Sequence, residues 1–165
     1  LVFDCIGLDN TETNKLYTRN TFVQRVDNKP DDGDIQKVIH SDIFFPAIKW
    51  WYFPDAVELG KGPFRFQTTA PKYDRVFWEW LYNQSVGISE GSWPREKGKG
   101  HIEGSFRITQ QELDDIDIRV EPITVPADTL ILANVQLFHG RGDTWQPHIR
   151  NAIHGSIRIG RPFTV

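Results

Sequence analysis

The chain has 165 residues, of which 39% are hydrophobic and 25% charged, with a formal net charge of -3. This length fits a single domain over residues 1–165, with enough chain to bury a core. The negative balance argues against nucleic acid as a partner, because phosphate binding needs a basic surface. No window resembles a membrane span or a signal peptide, and the lone Cys5 cannot form an internal disulfide, so we expect a cytoplasmic protein.

The chain contains no methionine, even at position 1, and we therefore expect its N-terminus to be truncated or processed. Taken in order, alternating apolar residues predict a strand at 21–26, and a turn-rich polar loop follows at 27–34. Apolar, aromatic and β-branched runs predict the next three strands, bounded by Pro and Gly turns. These strands are 38–45, 49–53 and 64–68.

The second half begins with helical spacing of Phe77, Trp80 and Leu81, which predicts one short helix over 74–84. A loop without periodicity follows at 85–104. Strand patterns then recur around a short helical turn at 110–115. They cover 105–108, 120–125, 129–133 with a continuation at 136–139, and 150–159. Seven to nine short strands with frequent turns indicate a mainly β fold, a β-sandwich or jelly roll with few helices.

His40 and Asp42 are the first candidate site residues. Successive strand side chains point to opposite faces, so these two project to the same side. An imidazole and a carboxylate on one face supply two of the three ligands of a non-haem Fe(II) facial triad. A late histidine, His139, ends an apolar strand, and Arg150 follows on the next one. Consecutive strands are usually neighbours, so we expect Arg150 to lie close to His139.

This combination resembles the phytanoyl-CoA dioxygenase family of Fe(II)/2-oxoglutarate oxygenases. The segments that carry the resemblance are 34–42, Trp51-Tyr52-Phe53, Gly62-Pro63-Phe64, Arg75 with Trp78-Glu79, 127–129, and 138–142 with Arg150. The resemblance implies a double-stranded β-helix (jelly roll, cupin-like) with iron held by His40, Asp42 and His139. It also implies that Arg150 pairs with the distal carboxylate of 2-oxoglutarate, for which a planar guanidinium is well suited.

The activity implied by the resemblance is hydroxylation of a C–H bond in a small-molecule substrate. The reaction would consume O2 and 2-oxoglutarate and release succinate and CO2. Related halogenases leave the carboxylate position free for halide, so Asp42 favours hydroxylation. The chain departs from the family after Phe66, where residues 67–71 replace a common Gly-Ser-His segment.

Further contacts are expected around this centre. Trp50 and Tyr52 share a strand face and are candidates for lining the co-substrate pocket, with core packing equally compatible. Arg141 is a further co-substrate candidate. His154, Trp51 and Arg158 are candidates for substrate contact, and for both arginines solvent exposure is the simpler interpretation.

Three alternatives remain open from the sequence. A cupin-like metal enzyme would use the same ligands without 2-oxoglutarate, although Arg150 would then have no carboxylate to hold. A non-catalytic carbohydrate-binding jelly roll would present Trp50, Trp51 or Trp93 as an exposed platform, with His40 and Asp42 facing different surroundings. A metal-free, degenerate oxygenase domain is the third. The sequence does not indicate an oligomeric state.

Overall fold

The computed structural model describes residues 16–30, 33–42, 47–70, 73–89 and 105–159. In this part of the chain nine strands form two antiparallel sheets. The strands are β1 (Leu16–Asn28), β2 (His40–Ser41), β3 (Ala47–Phe53), β4 (Phe64–Gln67), β5 (Phe106–Arg107), β6 (Val120–Ile123), β7 (Thr129–Asn134), β8 (His139–Arg141) and β9 (His148–Ile159). The first sheet has the order β1-β9-β3-β7 and the second the order β5-β2-β8-β4-β6. The predicted mainly β jelly roll is thereby confirmed.

Two α-helices and a short 3₁₀ turn accompany the sheets. Helix α1 spans Arg75–Ser89, helix α2 spans Gln110–Asp115, and the 3₁₀ turn is Ile35–Lys37. A reciprocal capping box between Thr109 and Glu112 begins α2 and satisfies its first free N–H groups. Helix α1 continues five residues beyond the predicted end at 84, into the predicted loop, and residues 90–104 of that loop lie outside the described residues. No helix in the described segments is long and apolar enough to cross a membrane.

Two apolar clusters support the sheets. One joins α1 and α2 to the second sheet through Ile39, Phe138 and other buried residues, namely Trp80, Phe106, Ile108, Leu113, Ile116 and Ile118. The other lies between the sheets and comprises Phe53, Val57, Val125 and Ala152. Burial of each large side chain contributes about 1.5–3 kcal/mol relative to exposure. Because Ile39 and Phe138 immediately precede His40 and His139, the first cluster also fixes the backbone that carries both histidines.

The chain changes sheets between β7 and β8. After Asn134 it turns, with Leu137 N donating to Asn134 O at 3.1 Å, and then enters the second sheet at His139. The predicted continuation of a single strand through 136–139 is therefore wrong. Strand β8 pairs with β2 and β4, while β9 lies in the first sheet, so the strands that carry His139 and Arg150 do not pair with each other. The closeness of His139 and Arg150 stays a prediction. The described strand at His40 is shorter than predicted, and residues 43–46 lie outside the described part.

Candidate metal centre

Two histidines and one aspartate converge in the second sheet. Strands β2 and β8 run antiparallel with His40 directly opposite His139. The Nε2 atom of His40 lies 3.6 Å from Asp42 Oδ1, and that of His139 lies 3.7 Å from Asp42 Oδ2. One ligand atom from each residue can be chosen so that all three lie within 4.8 Å of one another. The arrangement therefore offers a divalent metal three ligands from one side.

Main-chain bonds hold the strands that carry these ligands. Asp42 N donates to Val135 O at 3.0 Å, which ties the aspartate to the turn before β8. On the other side, Gln67 binds Phe138 twice: its backbone N donates to Phe138 O at 2.8 Å, and its Oε1 accepts from Phe138 N at 3.2 Å. Gln67 is buried, and it begins the segment that departs from the family resemblance. The sequence analysis missed this supporting role because the partner is remote in the chain.

Both imidazole rings are oriented by backbone carbonyls. His40 Nδ1 lies 2.8 Å from Val38 O, and His139 Nδ1 lies 2.9 Å from Leu137 O. A carbonyl oxygen can only accept a hydrogen bond, so each Nδ1 carries the proton and each Nε2 keeps its lone pair directed toward Asp42. Metal-bound histidines in proteins commonly have this outer hydrogen bond. The Nε2 atoms of both histidines are therefore oriented and unprotonated, as metal binding requires.

The electrostatics keep the ligands in their metal-binding protonation states. Burial, followed by the neighbouring His139, lowers the pKa of His40 to about 4, and burial also lowers the pKa of His139. Burial alone would raise the pKa of Asp42, but Lys49 and the two histidines outweigh it and lower that pKa. At neutral pH the site therefore presents two neutral imidazoles and one carboxylate.

Lys49 contacts the candidate metal centre directly, and the sequence analysis missed it as well. It lies on β3, in the opposite sheet, and its Nζ forms an ion pair with Asp42 Oδ2. Asp42 Oδ1 additionally accepts from Ser105 Oγ at 3.4 Å. The side chain of Asp42 is 13% exposed and that of Lys49 36% exposed. The ammonium thus balances the charge of a mostly buried carboxylate when no metal does so.

Arg150 lies on β9 and is 7% exposed. Its Nη1 donates to Gly62 O, and its Cζ lies 5.6 Å from the centroid of the Phe53 ring. Within the described ranges no carboxylate lies within ion-pair distance of Arg150, and its Nε is buried without a hydrogen-bond partner. Burial, followed by repulsion from Arg141, lowers the pKa of Arg150 to about 9, so the guanidinium stays charged at neutral pH. A buried cation in this state is suited to an anionic ligand.

Arg141, predicted to contact the co-substrate, is buried on β8. Its Nη1 forms an ion pair with Asp34, whose side chain also accepts from Gln36 N at the start of the 3₁₀ turn. The Nε of Arg141 is buried without a hydrogen-bond partner among the described residues. Arg141 therefore lies close enough to Arg150 to lower the pKa of Arg150, and the carboxylate of Asp34 partly offsets this repulsion.

Trp50 and Tyr52 are not brought to the triad. Side chains alternate along β3, and Lys49, Trp51 and Phe53 occupy the face that meets the second sheet. Trp50 instead packs over Gly155 on the outer face, where a Cβ at Gly155 would lie 2.7 Å from the indole. Tyr52 donates from its hydroxyl to Asp128 Oδ1 at 2.7 Å. The predicted co-substrate lining by these two side chains is corrected accordingly.

The three residues predicted to contact the substrate have different surroundings in the structure. The Trp51 ring faces the triad, with its centroid 6.3 Å from that of His139. His154 is the register partner of Trp51 and stacks on Phe22 at 5.2 Å, on the same side of the sheet. The backbone of Arg158 pairs with Ala47, and its side chain lies outside the described part.

Comparison with known proteins gives structural neighbours only. No protein-family model matches the chain, and no curated protein matches it. The epimerase SnoN, solved with Fe3+, alpha ketoglutarate and nogalamycin RO, is 16% identical over 91% of this chain, with a TM-score of 0.53. The chain spans 54% of the SnoN chain.

HygX from Streptomyces hygroscopicus is a more distant likeness. Its structure with nickel and 2-oxoglutarate bound is 12% identical over 99% of this chain and 66% of HygX, with a TM-score of 0.49. The apo form is 10% identical over 96% of this chain and 64% of HygX, with a TM-score of 0.49. At these identities the likeness to SnoN supports the fold, and the chemistry rests on the residues described above.

Proposed function

We propose that this chain is the jelly-roll domain of an Fe(II)- and 2-oxoglutarate-dependent oxygenase that acts on a small molecule. The observation that carries the proposal is the convergence of His40, Asp42 and His139. The proposal that 2-oxoglutarate is the co-substrate is supported by Arg150, which is buried and has no carboxylate partner among the described residues. The order of these residues in the chain supports the resemblance to the phytanoyl-CoA dioxygenase family.

The residues present fit iron and 2-oxoglutarate. Two imidazole nitrogens and one carboxylate, with open positions beyond them, are the ligand set of non-haem Fe(II) oxygenases. The carbonyl bonds at both Nδ1 atoms supply the outer support that such ligands need. Arg150, whose Nε has no hydrogen-bond partner among the described residues, suits a carboxylate that can accept two parallel hydrogen bonds. When bound, iron and 2-oxoglutarate together would supply oxidising power from O2.

The chain's own residues provide position and shielding. His40, Asp42 and His139 would hold the metal from one side, leaving the other side for ligands. Arg150 would hold the far carboxylate of 2-oxoglutarate and so fix its distance from the metal. Trp51 and Phe64, whose ring centroids lie 4.7 Å apart next to His139, would exclude water from the reacting region. Lys49, released from Asp42, would supply positive charge beside the metal.

Hydroxylation is the proposed reaction, because Asp42 occupies the position that halide needs in halogenases. The likeness to SnoN favours one second candidate, epimerisation at a carbon centre of a small molecule. The two reactions differ in the fate of oxygen. Incorporation of labelled oxygen from O2 into the product would indicate hydroxylation, whereas uptake of solvent deuterium at carbon without added oxygen would indicate epimerisation.

The first test is an anaerobic titration with Fe(II) and 2-oxoglutarate, monitoring the weak visible charge-transfer band of the chelate. We expect a band in the wild type, no band in Asp42→Ala, and a much higher 2-oxoglutarate requirement in Arg150→Ala. Arg150→Lys is the matched control, since it keeps the charge but loses the planar fork, and it should bind 2-oxoglutarate with intermediate affinity.

The alternatives predict other results. Metal binding without the band would favour a cupin-like enzyme that does not use 2-oxoglutarate. Failure to bind any divalent metal would favour a binding module or a degenerate domain. Against the carbohydrate-binding alternative stand the convergence of His40 with Asp42 and the inward position of Trp51. Trp93, the remaining platform candidate, lies outside the described residues.

A further inference from the structure

A guanidinium lies behind one of the two histidines, on the side away from Asp42. Strand β5 pairs with β2 so that Arg107 is the register partner of His40. Arg107 Nη1 lies 3.3 Å from His40 Nδ1, whereas Nε2 of the same ring lies 3.6 Å from Asp42 Oδ1. The His40 imidazole therefore lies between the Arg107 guanidinium and the position that a metal bound to Asp42 would occupy.

Main-chain oxygens hold this cation in place. Arg107 Nη1 donates to Ile35 O at 2.8 Å and approaches Val38 O at 3.3 Å. Val38 O is also the acceptor for His40 Nδ1, at 2.8 Å. One carbonyl is thus shared between the ligand imidazole and a guanidinium. Arg107 is half-buried, so its charge is only partly screened by water.

The other histidine has a different environment. His139 Nδ1 donates to Leu137 O at 2.9 Å, and in the described part of the chain no cationic side chain hydrogen-bonds that carbonyl. An outer acceptor normally strengthens electron donation from a metal-bound histidine. A cation at the same acceptor draws electron density from it and weakens that donation. His40 and His139 would therefore be unequal ligands.

We propose that Arg107 is a positioning residue that weakens electron donation by His40 and thereby favours the ferrous over the ferric state of the centre. This inference rests on the proposed function. A nearby positive charge raises the energy of the more highly charged metal state more than that of the less charged one. In a centre of this kind, the resting metal would then resist oxidation before the co-substrate is in place.

Two variants separate charge from anchoring. Arg107→Gln removes the charge and keeps a hydrogen-bonding group, whereas Arg107→Lys keeps the charge and loses the Nη1 group that reaches Ile35 O and Val38 O. Arg119→Gln is the control, because Arg119 is exposed beside β6, at the far edge of the same sheet. The measurements are the Fe(III)/Fe(II) midpoint potential by mediated titration and the Co(II) affinity in competition with a chelator.

We expect Arg107→Gln to shift the potential to more negative values and to bind Co(II) about tenfold more tightly, since a like charge has been removed. Arg107→Lys and Arg119→Gln should remain close to the wild type. Equal weakening of Co(II) binding in Arg107→Gln and Arg107→Lys with an unchanged potential would overturn the inference and leave a purely structural role. A wild type that binds no metal would instead overturn the proposed function itself.

Discussion

Replacing Lys49 by Met should make the metal-free protein less stable and the metal complex tighter. In the structure the ammonium forms an ion pair with Asp42, a ligand that a metal must also use. Without Lys49, the metal-free protein keeps a mostly buried carboxylate that has lost the ammonium partner seen in the structure. With metal bound, the same substitution removes a positive charge that competes with the metal.

The magnitude follows from the burial of the pair. Two unit charges about 4 Å apart interact by about 4 kcal/mol at an effective dielectric constant of about 20. Lys49 is 36% exposed, so screening and the entropy of its long side chain reduce the net contribution to about 1–2 kcal/mol. For a chain of this size, that loss lowers the metal-free Tm by about 2–8 °C. The same free energy corresponds to metal binding tightened by about tenfold.

The assay is thermal unfolding in a chelator and in excess Mn(II), combined with a Co(II) titration. Lys61→Met is the matched control, because its ion pair with Glu58 has a similarly exposed lysine but includes none of the three candidate metal ligands. The control should change neither quantity. Unchanged metal-free Tm together with weaker Co(II) binding in Lys49→Met would refute the reasoning, since Lys49 would then support the metal-bound state.

Three other substitutions test a buried hydrogen bond, close packing and the titration of a histidine. Gln67→Leu leaves the N–H of Phe138 without its side-chain acceptor and should lower the free energy of unfolding in urea by about 1–3 kcal/mol; an unchanged midpoint would contradict this. Gly155→Ala places a Cβ 2.7 Å from the Trp50 indole and should cost about 1–3 kcal/mol by overpacking, whereas a neutral effect would mean that the indole moves freely. Because the folded-state pKa of His40 is lowered from 6.5 to about 4, the unfolded chain takes up its proton first, and stability of the metal-free protein falls as pH drops across that interval. His40→Gln should flatten that dependence, and an equal slope in both proteins would contradict the assignment.

The closeness of His40 and Asp42 could be predicted from the sequence because the two residues are local. His40 and Asp42 are two residues apart, and alternation brings them to one side even where the described strand is short. The position of His139 opposite His40 could not be predicted from local patterns, since this pairing joins remote parts of the chain. The change of sheet between β7 and β8 could not be predicted, because the turn after Asn134 contains neither Gly nor Pro to mark it.

The face of β3 could not be chosen from the sequence. One face carries Lys49, Trp51 and Phe53, and the other carries Trp50 and Tyr52, so hydrophobicity favours the second as the inner one. In the structure the face with Lys49, Trp51 and Phe53 points inward, and Asp42 balances the charge of Lys49 there. A partly exposed ion pair between residues seven positions apart thus accompanies the observed face, and the alternation along β3 alone does not indicate that pair.

The direct opposition of His40 and His139 has a consequence for chain connectivity. These two residues close a loop of about 100 residues, and a shared metal would act as a removable cross-link between them. Strand β2 contributes only two residues to its sheet, so few backbone bonds resist its departure. Metal loading should therefore slow amide exchange most strongly at β2 and β8, coupling local opening of the first half of the chain to that of the second.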